Sequence, residues 1–358
     1  MLKSFYKWLL VLLVGLGGTN YAQIAADSLP AEEKLFIQAK KLVDSSDYKA
    51  AVALLKKAVK IRNNYWEAYN LMAQSKIRLK DYGSAEKDLN KANVVAPMNF
   101  ETVKWMGINY YLMGKYNESK ASLDTAVYFA KEEKIDDAEM LYYRALLMRK
   151  GKNLKGALEA CEAAIEIKPN YTEVYLLQAE MRYERKEHNY VMKELTKAIR
   201  LLEQNGTPDN RLYKTLAKSK YELKDYKGSL EAWNNYMKDY PKEEEALILR
   251  AVDKIELNDN TGAIVDLDDA IKVNSKNPIS YCYRGVAKAG NRQNIEALKD
   301  LDYSISLKFD YAAAYVNRAA VKFASKDKRG ACEDLQKADS LGDEMAIKLF
   351  ERYCKHGD

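Results

Sequence analysis

Side chains able to do acid–base, nucleophilic or metal chemistry are few in this sequence and poorly spaced for it. Only two histidines occur, His188 and His356, too few for a histidine-rich metal site and without the partners of a triad. The four cysteines, Cys161, Cys282, Cys332 and Cys354, include no pair at metal-ligand spacing. The stretch GKNLKG (151–156) lacks the spacing and the Lys-Ser/Thr pair of a phosphate loop, and neither GxSxG nor HExxH is present. Carboxylates stand close together at Asp266, Asp268 and Asp269 and again at Asp300 and Asp302, but these intervals belong to a helix surface. No catalytic residue, cofactor or metal is expected, and the chain reads as a non-enzyme.

The bulk properties point elsewhere. Of 358 residues, 47% are hydrophobic and 31% charged, with 16 Gly and only 6 Pro, a composition that favours helices with few turns. Tyrosine is in excess, 27 against 7 Phe and 4 Trp. The net charge of +6 is spread along the chain, with no basic run dense enough to suggest nucleic acid. The first 22 residues stand apart. Lys3 and Lys7 precede the apolar run Trp8 to Gly18, which fits a secretory leader and is short of the ~20 residues of a membrane span. Residues 1–22 are therefore expected to be a signal peptide cleaved after Ala22, leaving no membrane span in the mature chain, with an uncleaved anchor as the alternative, and 23–31 a short linker.

Helices must position whatever the chain does, because the sequence repeats. DYKAAVALLKKAV (47–59), DYGSAEKDLNKAN (81–93) and KYNESKASLDTAV (115–127) follow one another at a spacing of 34. The frame recurs at 153–165, 225–237, 260–271 and 294–305. It divides 32–341 into nine units: 32–65, 66–99, 100–133, 138–171, 172–205, 210–243, 244–277, 278–311 and 312–341. Four-residue insertions fall at 134–137 and 206–209. The eighth place of the units carries Ala39, Ala73, Gly107, Ala145, Ala179, Ala217, Ala251, Gly285 and Ala319, so two helices must approach closely there. Pro97, Pro169 and Pro241 stand where a second helix must stop.

This period, the small eighth residue, the Tyr before a middle Ala (Tyr48 and Ala51, Tyr82 and Ala85) and the closing Pro resemble the tetratricopeptide repeat, over about 310 residues. The resemblance implies an all-α fold, a right-handed α-solenoid of about nine helix pairs whose apolar faces are buried by stacking, closed by a C-terminal capping helix and tail at 342–358. In that helix Met345, Leu349 and Tyr353 form one stripe. His188 in the fifth unit and Tyr236 in the sixth depart from the pattern, so these units are expected to pack less regularly. The C-terminal sequence also resembles the closure of exported bacterial members of the family, which implies a Cys332–Cys354 disulfide, with Cys161 and Cys282 free. Arg250, Arg284 and Arg318 at the seventh place, with Asp266, Asp300 and Asp334 at the twenty-third, are expected to pair as a ladder.

In the family the first helices line the concave face, with places 2, 5, 9, 12 and 13 pointing into it. The second place is acidic at Glu33, Glu67, Glu101, Glu139, Glu173 and Glu245, either to complement the helix dipole or as a rail for a basic segment. Tyr111, Tyr142, Tyr183 and Tyr221 are candidate contact residues. The last three units turn apolar, with Ile248, Val252, Ile255, Ile279, Cys282, Val286, Val316, Ala320 and Phe323. Such a strip needs a cover: a partner, the array's own curvature or a second copy. The chaperone-tail carboxylate clamp known in the family is not expected, since Lys104, Lys214 and Lys218 lack its partner residues. The expectation is an exported, periplasmic or outer-membrane-associated scaffold that binds another protein or peptide segment. Glycan or small-ligand binding and self-assembly as a homo-oligomer stand as alternatives.

Overall fold

A computed structural model describes residues 29–355. The expected signal peptide, most of the linker and His356 lie outside the described residues. Every regular element among them is a helix, and the expected all-α array of nine helix pairs and a terminal helix is observed.

The first unit of structure holds four pairs. They are α1 Ala31–Asp44 with α2 Tyr48–Ile61, α3 Trp66–Arg78 with α4 Tyr82–Val95, α5 Phe100–Leu112 with α6 Tyr116–Glu133, and α7 Ala138–Lys150 with α8 Leu154–Ile167. The second unit holds α9 Thr172–Glu184 with α10 His188–Gln204, α11 Leu212–Glu222 with α12 Tyr226–Tyr236, α13 Glu244–Glu256 with α14 Asn260–Val273, α15 Pro278–Gly290 with α16 Asn294–Leu307, α17 Ala312–Ala324 with α18 Lys328–Ser340, and α19 Glu344–Tyr353.

Each pair is closed by the same turn. One left-handed residue ends the first helix: Ser46, Lys80 and Gly114, then Lys152, Lys186 and Lys224, then Asn258, Arg292 and Lys326. The steps between them are 34 residues, except for 38 from Gly114 to Lys152 and from Lys186 to Lys224. The residue after it caps the second helix. Asp47, Asp81, Asn153, Asp225, Asp259 and Asp327 each accept a hydrogen bond from the backbone N–H three residues on, satisfying a donor the helix itself leaves free. The longer steps are taken up by lengthening the second helix. α6 has 18 residues and α10 has 17, against 14 in α2, about one turn of 3.6 residues.

The core repeats with the frame. The twenty-fourth place holds Leu55, Leu89, Leu123, Cys161, Leu195, Trp233, Leu267, Leu301 and Leu335, all almost fully buried. The eighth place must be small because this side chain lies against it. A Cβ on Gly107 would stand 2.6 Å from Leu123 Cγ, and one on Gly285 2.8 Å from Leu301 Cγ.

The arginine ladder is present, and each rung has a second cation. Arg250, Arg284 and Arg318 hold both carboxylate oxygens of Asp266, Asp300 and Asp334. Lys254, Lys288 and Lys322, four residues on, reach the same aspartates at 2.7, 2.7 and 2.8 Å. Lys76 with Asp88 and Arg182 with Glu194 occupy the equivalent places of earlier pairs.

The terminal helix differs from its expected register. Met345 is exposed, while Ala346 is fully buried and Leu349, Phe350 and Cys354 pack on Tyr315, Ala319 and Leu335. The inward stripe is thus rotated by one residue at its start. Cys332 and Cys354 are joined as a disulfide, and Cys161 and Cys282 are free and buried. The sixth pair has short helices, α11 and α12 with 11 residues each, while the fifth keeps 13 in α9 and 17 in α10. Tyr236, in place of a small residue, is buried against Trp233 and stacked on Tyr240.

Candidate functional site

The apolar strip of the last three pairs is not a continuous exposed surface, which corrects its candidacy as a partner-binding face. Ile248, Val252 and Cys282 are only 7%, 6% and 1% exposed. Val316 and Phe323 pack into the terminal core, where Phe323 meets the Tyr353 ring at 5.7 Å. Ile255 and Val286 are half-buried. The strip's cover is the stack itself, with the terminal helix over its far end; Ile279 stays exposed.

The tyrosines divide. In the first unit Tyr111 stands edge-on to Tyr116 and Tyr143, and Tyr142 edge-on to Tyr143. These rings pack between successive pairs, all half-buried except the more exposed Tyr116. A separate hollow of about 380 Å³ lies between α6, α7 and the turn that follows α7, beside Tyr116, Lys120, Asp124, Arg144 and Met148; neither Tyr111 nor Tyr142 lines it.

In the second unit Tyr183 and Tyr221, from α9 and α11, line one cleft of about 290 Å³. Trp233 of α12, 1% exposed, forms its floor and Leu249 of α13 a further apolar wall. Lys218, Glu222 and Glu245 supply its polar lining. Each wall has a local reason. Tyr183 is half-buried and braced edge-on by His188 at 5.0 Å, and Tyr221 leans on Tyr226 at 5.3 Å. Trp233 occupies the place that carries Leu in most pairs. Glu245 is held by Lys214 at 2.7 Å and Lys218 at 2.5 Å. Glu222 makes no ion pair among the described residues. Burial and the carboxylates of Glu222 and Glu245 raise the Tyr183 phenol above its ordinary value, and burial with Glu256 pushes Tyr221 up to about 12. Both phenols are therefore neutral donors at physiological pH.

Sequence reasoning named Tyr183 and Tyr221 but not Trp233, Leu249 or Glu222. The available signal was Trp233, the one aromatic residue in a column of mostly leucine. The acidic rail is largely neutralised from within the chain: Glu33, Glu101, Glu139, Glu173 and Glu245 pair with Arg62, Lys104, Arg78, Arg211 and Lys214. Lys104, Lys214 and Lys218 are likewise engaged by acids, Lys104 with Asp137 in a buried pair.

Tetratricopeptide-repeat models match residues 67–94 and 106–172. Those residues carry tetratricopeptide repeats. No curated protein matches the sequence. Among solved structures, MamA from Desulfovibrio magneticus RS-1 is similar at 15% identity, over 51% of this chain and 97% of that one, with a TM-score of 0.42. YrrB, described as a TPR protein with an unusual peptide-binding site, is similar at 16% identity over 62% and 96%, with a TM-score of 0.36. The TPR domain of P58(IPK) is similar at 17% identity over 91% and 100%, with a TM-score of 0.28. Tetratricopeptide proteins as a class are protein-interaction scaffolds, and no helix among the described residues is long and apolar enough to cross a membrane.

Proposed function

We propose that this protein is a non-catalytic scaffold of the cell envelope, periplasmic or outer-membrane-associated, that holds a segment of a partner protein on its first-helix face. The observation that carries this reading is the open cleft between Tyr183 and Tyr221 over Trp233. Its walls come from three successive pairs, so it is a product of the stacked array and not of one repeat. Tyrosine and tryptophan at the base of a concavity are the side chains on which binding energy concentrates, since they offer rigid area and a polar tip. The apolar leader and the Cys332–Cys354 bond support export, because disulfides persist in oxidising compartments.

The test is a crosslinked pull-down from native envelopes with the wild-type chain beside a Tyr183→Ala/Tyr221→Ala variant of matching circular dichroism. A protein recovered with wild type and lost with the variant supports the reading. Equal recovery with both removes the cleft from it. Finding the native chain in the cytosolic fraction with its first 22 residues intact would remove the envelope assignment.

A further inference from the structure

The cleft is narrow and its chemistry is one-sided. At about 290 Å³ it sits at the small end of the ~300–1,000 Å³ typical of ligand sites, room for one or two side chains and too little for a helix. Two of its walls are tyrosine rings and its floor is an indole, surfaces whose π faces attract cations. The charge around them is net negative. Lys218 is matched by Glu245, which it shares with Lys214, and Lys214 also binds Glu243. That leaves Glu222 on the lining without a cation among the described residues. Glu256, at the end of α13, also bears on Tyr221 and likewise makes no ion pair among them. An acidic occupant would meet Glu222 head-on, and a neutral one would gain nothing from its charge.

We propose that this cleft receives the arginine side chain of a basic segment in the partner protein, its guanidinium lying against Tyr183 and Tyr221 and paired with Glu222. The proposal rests on the protein-interaction reading above and names the partner's chemistry. Arginine fits better than lysine because its planar group stacks on rings and presents paired N–H donors to one carboxylate, whereas an ammonium is a compact, strongly hydrated point charge. The resident salt bridges need not break: Glu245 stays with Lys214 and Lys218.

The experiment uses the full mature chain and pools of degenerate heptapeptides whose central residue is fixed as Arg, Lys, citrulline or Leu, read by fluorescence anisotropy. Citrulline keeps the shape of arginine and removes its charge. The Arg pool should bind about tenfold more tightly than the citrulline pool, with Lys between them, a difference of the size expected for one partly desolvated cation on aromatic rings. Glu222→Gln, an exposed substitution that leaves the fold intact, should erase most of that preference, and Tyr183→Leu should weaken the Arg pool while sparing the Leu pool. Equal binding of Arg and citrulline pools, or an Arg preference unchanged in Glu222→Gln, overturns the arginine assignment while peptide binding stands. Failure of all four pools to bind overturns the peptide-binding reading together with it.

Discussion

Arg284 holds both carboxylate oxygens of Asp300, through Nε at 2.8 Å and Nη2 at 2.7 Å, and its remaining nitrogen reaches Asp268 at 2.6 Å. Asp300 belongs to its own helix pair and Asp268 to the one before, so a single guanidinium ties α15 to α16 and to α14. Arg318 repeats the arrangement with Asp334 and Asp302. Asp300 is buried, and removing it leaves Lys288 without its carboxylate and Arg284 with Asp268 alone. Asp300→Ala should therefore lower stability by about 3 kcal/mol, the usual consequence of leaving a buried charge uncompensated. Arg284→Met, which leaves Lys288 to neutralise Asp300, should cost about 1–2 kcal/mol. Urea unfolding of both variants checks the order. An Arg284→Met chain with an unshifted midpoint would show that the ladder adds nothing.

Asp253 gives the stack a pH dependence. It is fully buried, with Oδ2 at 2.6 Å from Ser229 Oγ, and Ser229 Oγ lies 3.0 Å from the Ala217 carbonyl. One hydroxyl proton serves only one of these contacts. A protonated Asp253 donating to Ser229, which in turn donates to Ala217, satisfies both. Burial is the main cause that raises the carboxyl from 3.8 to about 7, with Glu256 and Asp225 adding to it. A raised folded value means the native state binds the proton more tightly than the unfolded chain. The contribution is complete below about pH 3.8, declines as pH rises toward about 7, and is lost above that. Asp253→Asn, whose amide can donate to Ser229 at any pH, should raise the melting temperature at pH 8 by several degrees and flatten its slope between pH 5 and 7 (a few kcal/mol at most). Parallel slopes in the two proteins would show that Asp253 does not titrate in this window.

The left-handed turn residues are open to improvement. Lys224 and Lys326 have φ of 61° and 65°, where a side chain costs roughly 1 kcal/mol relative to glycine. Lys224→Gly and Lys326→Gly should each raise stability by about 0.5–1 kcal/mol, read as a higher urea midpoint at unchanged slope. A lowered midpoint would mean the lysine side chains stabilise the turn by more than the strain they cost.

Reducing the Cys332–Cys354 bond releases a closure of 22 residues, worth about 3 kcal/mol on chain-entropy reasoning. In a stacked array this loss falls locally. Hydrogen exchange of α19 should accelerate sharply in the Cys332→Ser/Cys354→Ser variant, while α13 and α14 stay protected. Uniform acceleration along the second unit would show that the terminal helix stabilises the whole of it.

Repetition decided what could be read early. Nine copies of one pattern identify helix pairs without any contact information: the small eighth residue marks a close approach, and the structure supplies its other side in the large twenty-fourth, as Gly107 and Leu123 show. Arg284 and Asp300 could be matched across sixteen residues because both recur in register. The terminal helix defeated the same reasoning. It has no second copy, and a stripe through Met345 or through Ala346 satisfies a helical period equally well; only packing on Tyr315 and Leu335 chose Ala346.

The sequence alone determined the helix pairs, the close approach at their eighth place, and the absence of motifs for catalysis. These are properties of one repeat and its neighbour, so local periodicity fixes them. Only the tertiary structure decided which apolar and aromatic side chains face solvent. Val252 and Tyr221 look equally available along the chain, yet one is enclosed by the stack while the other lines a cleft. The cleft draws on Tyr183, Tyr221, Trp233 and Leu249 from four helices in three pairs. Burial depends on what the next pair lays over a residue, and that is set by packing between repeats, not by the pattern within one.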